Sequence, residues 1–348
     1  MPTRLSARLR TLASVCLLLL LTAVGVRTYL LVPPGLGPAA ASSVRTIVYI
    51  EPGTRVQEIA EKLREAGVLS STWAFLALAY LQGSLKRLHA GEYEFSPGMS
   101  MREILRKLET GKVVTHQITV PEGFTVDDIA SLLASERLVD AERFRTLAQD
   151  PEIARRLGIS AESLEGYLFP DTYRLTRGMG EEEILRLMVS RFRQSLPADF
   201  EARTARLDLT LHAVVTLASL IEKEAQLDQE RPTVSAVFHN RLRRSMPLQS
   251  DPTAVYGLPA LKRRITAEDL QRKTPYNTYL RPGLPPGPIA NPGLASLLAA
   301  VNPGRVNYLY FVAKNDGTHH FSRTLEEHSE AVRLYQGAAA RARANGDS

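Results

Sequence analysis

The chain has 348 residues, of which 44% are hydrophobic and 23% charged, which is ordinary for a globular protein with one or two domains. Its net charge of +6 suits an anionic partner, such as a nucleic acid, a lipid headgroup or an acidic wall polymer. The arginine clusters are short and lack interleaved aromatic residues, so the pattern disfavours nucleic-acid binding. Cys16 is the only cysteine, which excludes an intrachain disulfide and a cysteine metal site.

The N-terminal segment is the most hydrophobic part of the chain. Residues 11–32 are mostly apolar and carry no charge apart from Arg27, and a helix of that length crosses a hydrocarbon layer of about 30 Å. Three arginines precede the run and none directly follows it, which predicts a cytoplasmic N-terminus (1–10), a transmembrane helix (11–32) and a linker (33–45). The alanines at 39–41 leave a cleaved signal peptide open as the alternative. Under both interpretations the rest of the chain is exported.

A short β-like run, a glycine turn and an amphipathic helix occur together three times. The turns contain Gly53, Gly98 and Gly123, and each glycine precedes an isoleucine by six residues and a leucine by ten. A serine or threonine lies near each predicted N-cap. Such a unit cannot bury its apolar face alone and must pack against a neighbour. The repeat indicates either an α+β core built from similar units or a LysM-like wall-binding module.

Hydrophobic periodicity predicts the remaining elements. Between 246 and 303 the chain is rich in proline and glycine and shows little periodicity, and the tail after Leu334 is expected to begin as helix. We predict helices at 71–81, 140–157, 181–195, 210–225 and 232–242, and a hairpin of strands 308–313 and 318–322. The mixture predicts an α+β fold for the exported region.

Several catalytic signatures are absent from the sequence. It contains no P-loop, no His-Glu-x-x-His and no Ser-x-x-Lys motif. His319 and His320 are adjacent on a predicted strand, so they face opposite sides and do not form a simple two-ligand metal site. We therefore expect neither a metal nor a cofactor, and carboxylate chemistry remains.

The helix predicted at 210–225 contains two candidate acids. At about 100° per residue, Glu222 and Glu224 each fall among mostly apolar neighbours, on faces about 160° apart. Burial raises the pKa of a carboxyl group, which suits a general acid. The alternative is a helix end whose acids pair with Lys223 or Arg231. Periodicity alone does not decide between the two glutamates.

Several stretches in one order together resemble the YceG-like family of endolytic murein transglycosylases, over residues 45 to 335. The first glutamate of the Glu-Lys-Glu sequence in this family is catalytic, which implies Glu222. The stretches that carry the resemblance are 165–173, 217–224, 237–242, 248–253, 274–279, 283–289 and 308–312.

The resemblance implies an activity and a location. Glu222 would protonate the oxygen between N-acetylmuramic acid and N-acetylglucosamine, and then accept the proton of the muramyl 6-hydroxyl as a 1,6-anhydro ring closes. The substrate would be nascent peptidoglycan, cut at the cytoplasmic (inner) membrane to end glycan elongation, with peptidoglycan synthases as partners. A LysM-like subdomain (46–115) would precede a catalytic domain (116–340).

Polar and aromatic side chains in the matching stretches are candidate sugar contacts, because amides, carboxylates and hydroxyls bond sugar hydroxyls and aromatic faces stack on pyranose rings. These are Gln249, Asp251, Tyr276, Asn277, Tyr279 and Glu165. Glu165 or Asp251 could also serve as a second catalytic carboxylate, which keeps a lysozyme-type hydrolase open as an alternative. A non-catalytic wall-binding protein is the other alternative.

Overall fold

The computed structural model describes residues 45–258 and 265–344, with side chains as far as 336, besides the isolated positions 15, 20 and 25. The predicted N-terminal segment, membrane helix and linker (1–45) therefore lie outside the described residues, except at those three positions and Arg45. Within the described part, no single helix is long and apolar enough to cross a bilayer, and one pair of consecutive helices, bent by 91°, meets the length and composition requirements together.

The chain divides into two compact units. The first contains residues up to 116 together with 174–179, and the second contains 117–173 together with the chain from 180 onward. The short segment 174–179 returns to the first unit although most of its sequence neighbours belong to the second.

The first unit is built from the first two copies of the strand–turn–helix repeat. Strands β1 (Thr46–Ile50) and β2 (Gly91–Phe95) pair antiparallel, and helices α1 (Val56–Glu65), α2 (Thr72–Leu81) and α3 (Met101–Glu109) follow in chain order. Apolar side chains from all five elements form one core. The two copies thus bury their apolar faces together, as an incomplete unit requires.

The second unit is mainly helical. Strand β3 (His116–Thr119) pairs with β4 (Thr172–Leu175), and both strands contain a boundary between the units. In the described residues of the second unit, β5 (Tyr310–Ala313) pairs with β6 (His319–Ser322). The helices are α4 (Val126–Ser135), α5 (Ala141–Ala148), α6 (Pro151–Arg156), α7 (Glu181–Ser195), α8 (Phe200–Arg206), α9 (Leu211–Glu224), α10 (Arg231–Arg243), α11 (Asp251–Val255), α12 (Leu294–Val301) and α13 (Leu325–Ala344). The predicted α+β class is confirmed.

Helix α9 runs through the centre of the second unit. The Thr210 side chain caps it by accepting a hydrogen bond from Ala213 N at 3.1 Å. Its middle, from Val214 to Ile221, is buried, and it packs against α10 and α12. Packing of its middle fixes the place in the unit from which the C-terminal residues of α9 extend.

Several regions differ from the sequence expectation, and helices α8 and α11 were not predicted. The helix predicted at 140–157 is two helices, because the Asp150 side chain caps a new helix and Pro151 begins it. Helix α12 lies in the region of little periodicity. Its eight residues are all apolar or small, so no polar face marks it as amphipathic.

Candidate active site

Glu222 lies near the C-terminal end of α9, and its side chain is only 6% exposed. Its Oε1 lies 3.1 Å from Nη1 of Arg231, and its Oε2 accepts a hydrogen bond from the backbone N–H of Gly293 at 3.0 Å. Gly293 is the N-cap of α12, so the positive end of that helix also faces the carboxylate. A charged pair and a backbone donor therefore fix the orientation of this carboxyl group.

Arg231, the first residue of α10, is the buried cation of the site. Its guanidinium also donates to Asp228 at 2.9 Å and to the Ser296 hydroxyl on α12. Burial lowers the pKa of Arg231, but hydrogen bonds and charges from Asp228 and Glu222 outweigh this effect and leave it above its ordinary value. The arginine is a permanent positive charge that joins α9, α10 and α12 at one point.

Glu122 brings a second carboxylate to the same arginine. Its Oε2 lies 3.9 Å from Nη2 of Arg231, and its side chain is 49% exposed. A Cβ added to Gly293 would lie 1.9 Å from Oε1 of Glu122, so this side chain packs directly on the glycine. Burial raises the pKa of Glu122, the nearby Glu222 raises it further, and Arg231 opposes both.

The turn that carries Glu122 also contacts Glu222. A Cβ added to Gly123 would lie 3.6 Å from Cγ of Glu222, and the Gly123 N–H donates to the Asn291 carbonyl at 2.9 Å. The Asn291 N–H in turn donates to the Phe124 carbonyl at 2.8 Å. These two backbone bonds hold the turn of the third repeat copy against the segment that leads to Gly293.

Glu165 links the segments around Glu222 through hydrogen bonds to its buried carboxyl group. It is buried, and its carboxylate accepts from Val126 N at 3.2 Å, from the Asn291 amide at 2.9 Å and from the Tyr256 hydroxyl at 3.1 Å. Burial raises the pKa of Glu165 to about 7, although the bonds from Val126 and Tyr256 lower it. Glu165 thus contacts both segments that approach Glu222 and has no hydrogen bond to Glu222 itself.

Glu224 points away from Glu222, as the helical rotation predicted. Its carboxyl group accepts a hydrogen bond from the Ser250 hydroxyl, and burial raises its pKa to about 7 against that bond. Among the described residues, Glu222 has Arg231 and Gly293 as polar partners and Glu224 has Ser250, so the two glutamates share none. They emerge on different sides of α9.

The predicted sugar contacts fall into two groups. Gln249 accepts from Arg241 at 3.1 Å, and Asp251 accepts from the Tyr279 hydroxyl, in the segment that also carries Ser250. The ring of Tyr276 lies 4.6 Å from that of Tyr256, the tyrosine bonded to Glu165. None of these side chains bonds Glu222 within the described chain.

Asn277 has a different role from the one its sequence suggests. It is fully buried at 0% exposure, and its side-chain amide donates to the carbonyls of Leu270 and Arg272 while its oxygen accepts from Tyr279 N. All of these bonds lie within its own loop. The structure therefore gives Asn277 the role of holding the loop rather than of reaching a ligand, and we do not retain it as a sugar contact.

Sequence reasoning missed Glu122 and identified Arg231 only as a partner in the alternative interpretation. A signal for Glu122 was present in the repeat. The first two turns contain Pro52-Gly53 and Pro97-Gly98, whereas the third reads Pro121-Glu122-Gly123 and places a glutamate between the proline and the glycine. That departure marks the one turn of the three that contacts Glu222.

Comparison with known proteins gives consistent results. The model of the YceG-like family matches residues 48–334. An endolytic murein transglycosylase of Bacillus subtilis strain 168 is 34% identical, over 86% of this chain and 88% of that protein. One of Streptococcus pneumoniae serotype 2 is 31% identical, over 90% of this chain and 63% of that protein. A crystal structure of a YceG-like protein from Listeria monocytogenes is 33% identical, with a TM-score of 0.58 over 83% of this chain and 99% of that chain.

Proposed function

The chain belongs to the YceG-like family, and we propose that it is an endolytic lytic transglycosylase that cleaves peptidoglycan glycan strands. The observation that carries this proposal is the buried carboxyl group of Glu222, fixed between Arg231 and the Gly293 N–H beside a second carboxylate. Curated relatives at 34% and 31% identity are named for this activity.

In the proposed reaction Glu222 acts first as acid and then as base. It gives a proton to the bridging oxygen, and the bond from that oxygen to muramyl C1 breaks with the electron pair leaving on oxygen. Positive charge then develops on the sugar ring. The muramyl 6-hydroxyl attacks C1, Glu222 takes its proton, and a 1,6-anhydro ring closes. The proton given is returned and no water is consumed, so one carboxyl group suffices.

The negative charges of the site would also stabilise the oxocarbenium-like transition state. Glu222 and the half-exposed Glu122 both lie next to Arg231, and the carboxylates outnumber the guanidinium. A negative potential beside a developing cation lowers the barrier when it is in place before the reaction. Gln249, Asp251, Tyr276 and Tyr279 are proposed sugar contacts, and Glu165 is proposed to hold the segments of the site in place.

The proposal extends to location. Residues 11–32 would anchor the protein in the cytoplasmic membrane with the catalytic part outside, and the linker 33–45 would keep that part close to newly made glycan. Peptidoglycan synthases are the expected neighbours there. The paired repeat copies of the first unit are proposed as a LysM-like module that contacts the glycan.

A lysozyme-type hydrolase is the second candidate, and the presence of Glu122 beside Glu222 favours it. Two carboxylates near one bond are what a hydrolase uses, one as acid and the other as base or nucleophile. Glu224 does not fill that role, because it lies on another side of α9. The two activities differ by one water molecule in the product.

The deciding experiment is mass spectrometry of purified glycan strands after incubation with the full-length protein in detergent. Fragments that end in 1,6-anhydro-muramic acid, one water lighter than a reducing end, would support the transglycosylase. Reducing ends would assign the protein to the hydrolases. Fragments of many lengths at early times indicate internal cleavage, and release of disaccharides alone would contradict the endolytic assignment.

A further inference from the structure

We propose that Glu122 is a positioning residue of the active site, which acts through Glu222 by placing a second negative charge on the same arginine. The inference rests on the proposed function of Glu222 as the acid. It gives a role to the glutamate that distinguishes the third repeat turn from the other two.

The geometry makes the two carboxylates a pair. Glu222 and Glu122 approach the two terminal nitrogens of Arg231, at 3.1 Å from Nη1 and 3.9 Å from Nη2. They also meet at Gly293, since Glu222 accepts its N–H at 3.0 Å while Oε1 of Glu122 lies 1.9 Å from the position that a Cβ would take. A side chain at 293 would displace Glu122, so the glycine allows the two carboxylates to sit together.

In the part of the chain that the structure describes, Asp228 and Lys223 are the other charged groups near the pair and Arg231. Asp228 contacts Arg231 at 2.9 Å and is itself largely exposed, and Lys223 donates to the Gly123 carbonyl at 3.3 Å from the solvent side. Three carboxylates therefore surround one buried guanidinium. Burial and Glu222 both raise the pKa of Glu122, while Arg231 lowers it.

The second carboxylate at Arg231 bears on the need for Glu222 to hold a proton before the reaction. A carboxyl group next to an arginine favours its ionised form, whereas the first step of the reaction needs a proton to donate. A second carboxylate on the same guanidinium offsets the effect of the arginine. Glu122 is also half-exposed while Glu222 is buried, so Glu122 gives the pair access to solvent protons between turnovers.

The test is the pH dependence of cleavage by the full-length Glu122→Gln protein, measured by anhydro-muramyl ends. Glutamine keeps the size of the side chain and removes its charge. With one negative charge fewer beside Arg231, the acid of the reaction is expected to lose its proton at lower pH, so the alkaline limb of the profile is expected to move down by about one pH unit. Activity is expected to fall about tenfold at a pH on that limb and to recover toward the parent value in more acidic buffer.

Two control variants separate a charge effect from a structural one. Glu122→Asp keeps the charge and should leave the alkaline limb near that of the parent. Glu136→Gln removes an exposed glutamate at the end of α4 and should change nothing. An unmoved alkaline limb in Glu122→Gln would overturn the proposal, and so would an equal loss at every pH in a variant with a normal melting temperature. Reducing ends from the parent protein would instead overturn the proposed function, with the shift still measurable on the hydrolysis.

Discussion

At the scale of single residues, Glu222 and Glu224 form a matched pair for testing the acid. Both are glutamates near the end of α9, and both are tied to a neighbouring segment by a hydrogen bond. Glutamine at 222 keeps the shape and can still accept the Gly293 N–H, but it has no transferable proton. We expect Glu222→Gln to lower cleavage by at least about 100-fold, and Glu224→Gln to lose far less.

The measurement is the rate at which anhydro-muramyl ends appear, with the melting temperature of each variant as a check on folding. The same glycan preparation and protein concentration serve for both variants. A Glu222→Gln protein that cleaves at the parent rate would remove Glu222 as the acid. A Glu224→Gln protein that folds and is inactive would transfer the role to Glu224.

At the scale of residues, the sequence correctly predicted features that depend on the geometry of a single helix. Rotation along α9 separated Glu222 from Glu224, and the structure gives them different partners. Rotation does not tell which groups from distant segments will face a residue. Arg231 and Glu122 reach Glu222 through tertiary packing, and Glu122 is 100 positions away in the chain. Helical periodicity therefore does not predict that Glu122 and Glu222 lie together at Arg231.

At the scale of elements, local signals predicted most helices and strands. Helix α7 spans the predicted residues. Helices α3 and α4 begin after Ser100 and Thr125, in agreement with the serine or threonine near each predicted N-cap. Helix α12 was missed because burial on most sides removes the polar face that gives an amphipathic helix its pattern. It supplies the Gly293 N–H, so the missed element is one that the site depends on.

The N-cap of α12 gives a test at this scale. Gly293 has a φ of −74°, which alanine adopts freely, and the atoms that a Cβ would meet belong to the flexible end of Glu122. We expect Gly293→Ala to displace Glu122, to lower cleavage several-fold and to cost at most about 1 kcal/mol of stability. Cleavage rate and melting temperature are the two measurements.

Gly180→Ala is the matched control for that test. Gly180 is the N-cap of α7 with a φ of −71°, and no atom lies within 4 Å of the Cβ that alanine would add. Its loss of stability should resemble that of Gly293→Ala, while its cleavage rate should equal that of the parent. Equal rates in the two variants would show that the position of Glu122 is unimportant.

At the scale of the whole molecule, the repeat predicted that copies pack against one another. It did not predict which copies belong to which of the two units. Two copies pair in the first unit through β1 and β2, and the third belongs mainly to the second unit, where its turn lies against Glu222. Segment 174–179 joins the first unit from a distant part of the sequence. Nothing local in those residues signals this, because it depends on the path of the chain between units.

Membrane anchoring is a prediction for the whole chain. The apolar run 11–32 is longer than the core of a usual signal peptide, and the arginines before it favour a cytoplasmic N-terminus. We expect the mature protein to retain residues 11–32 and to remain with membranes after washing with salt or alkali. N-terminal sequencing of the purified mature protein tests this, and a start near Ser42 would show that the segment is cleaved.

Two acids with raised pKa values, Glu165 and Glu224, are expected to make folding stability depend on pH. Burial raises the pKa of Glu165 and of Glu224 to about 7 in the folded protein, against an ordinary value of 4.5. Because the folded state holds these protons more tightly, their contribution is complete below about pH 4.5 and is lost as the pH rises through 7. Each group contributes on the order of 3 kcal/mol at most.

We therefore expect the melting temperature of the full-length protein to fall between pH 5 and pH 8, as the two buried carboxyl groups are forced to ionise. Glu165→Gln and Glu224→Gln should each flatten this slope, because glutamine stays neutral throughout the range. The exposed Glu136→Gln should keep the parent slope. Melting curves at several pH values measure the effect for all four proteins. A parent melting temperature that stays level or rises toward pH 8, with no difference among the variants, would mean that both acids are ionised in the folded state at neutral pH, so that neither holds a proton in the core.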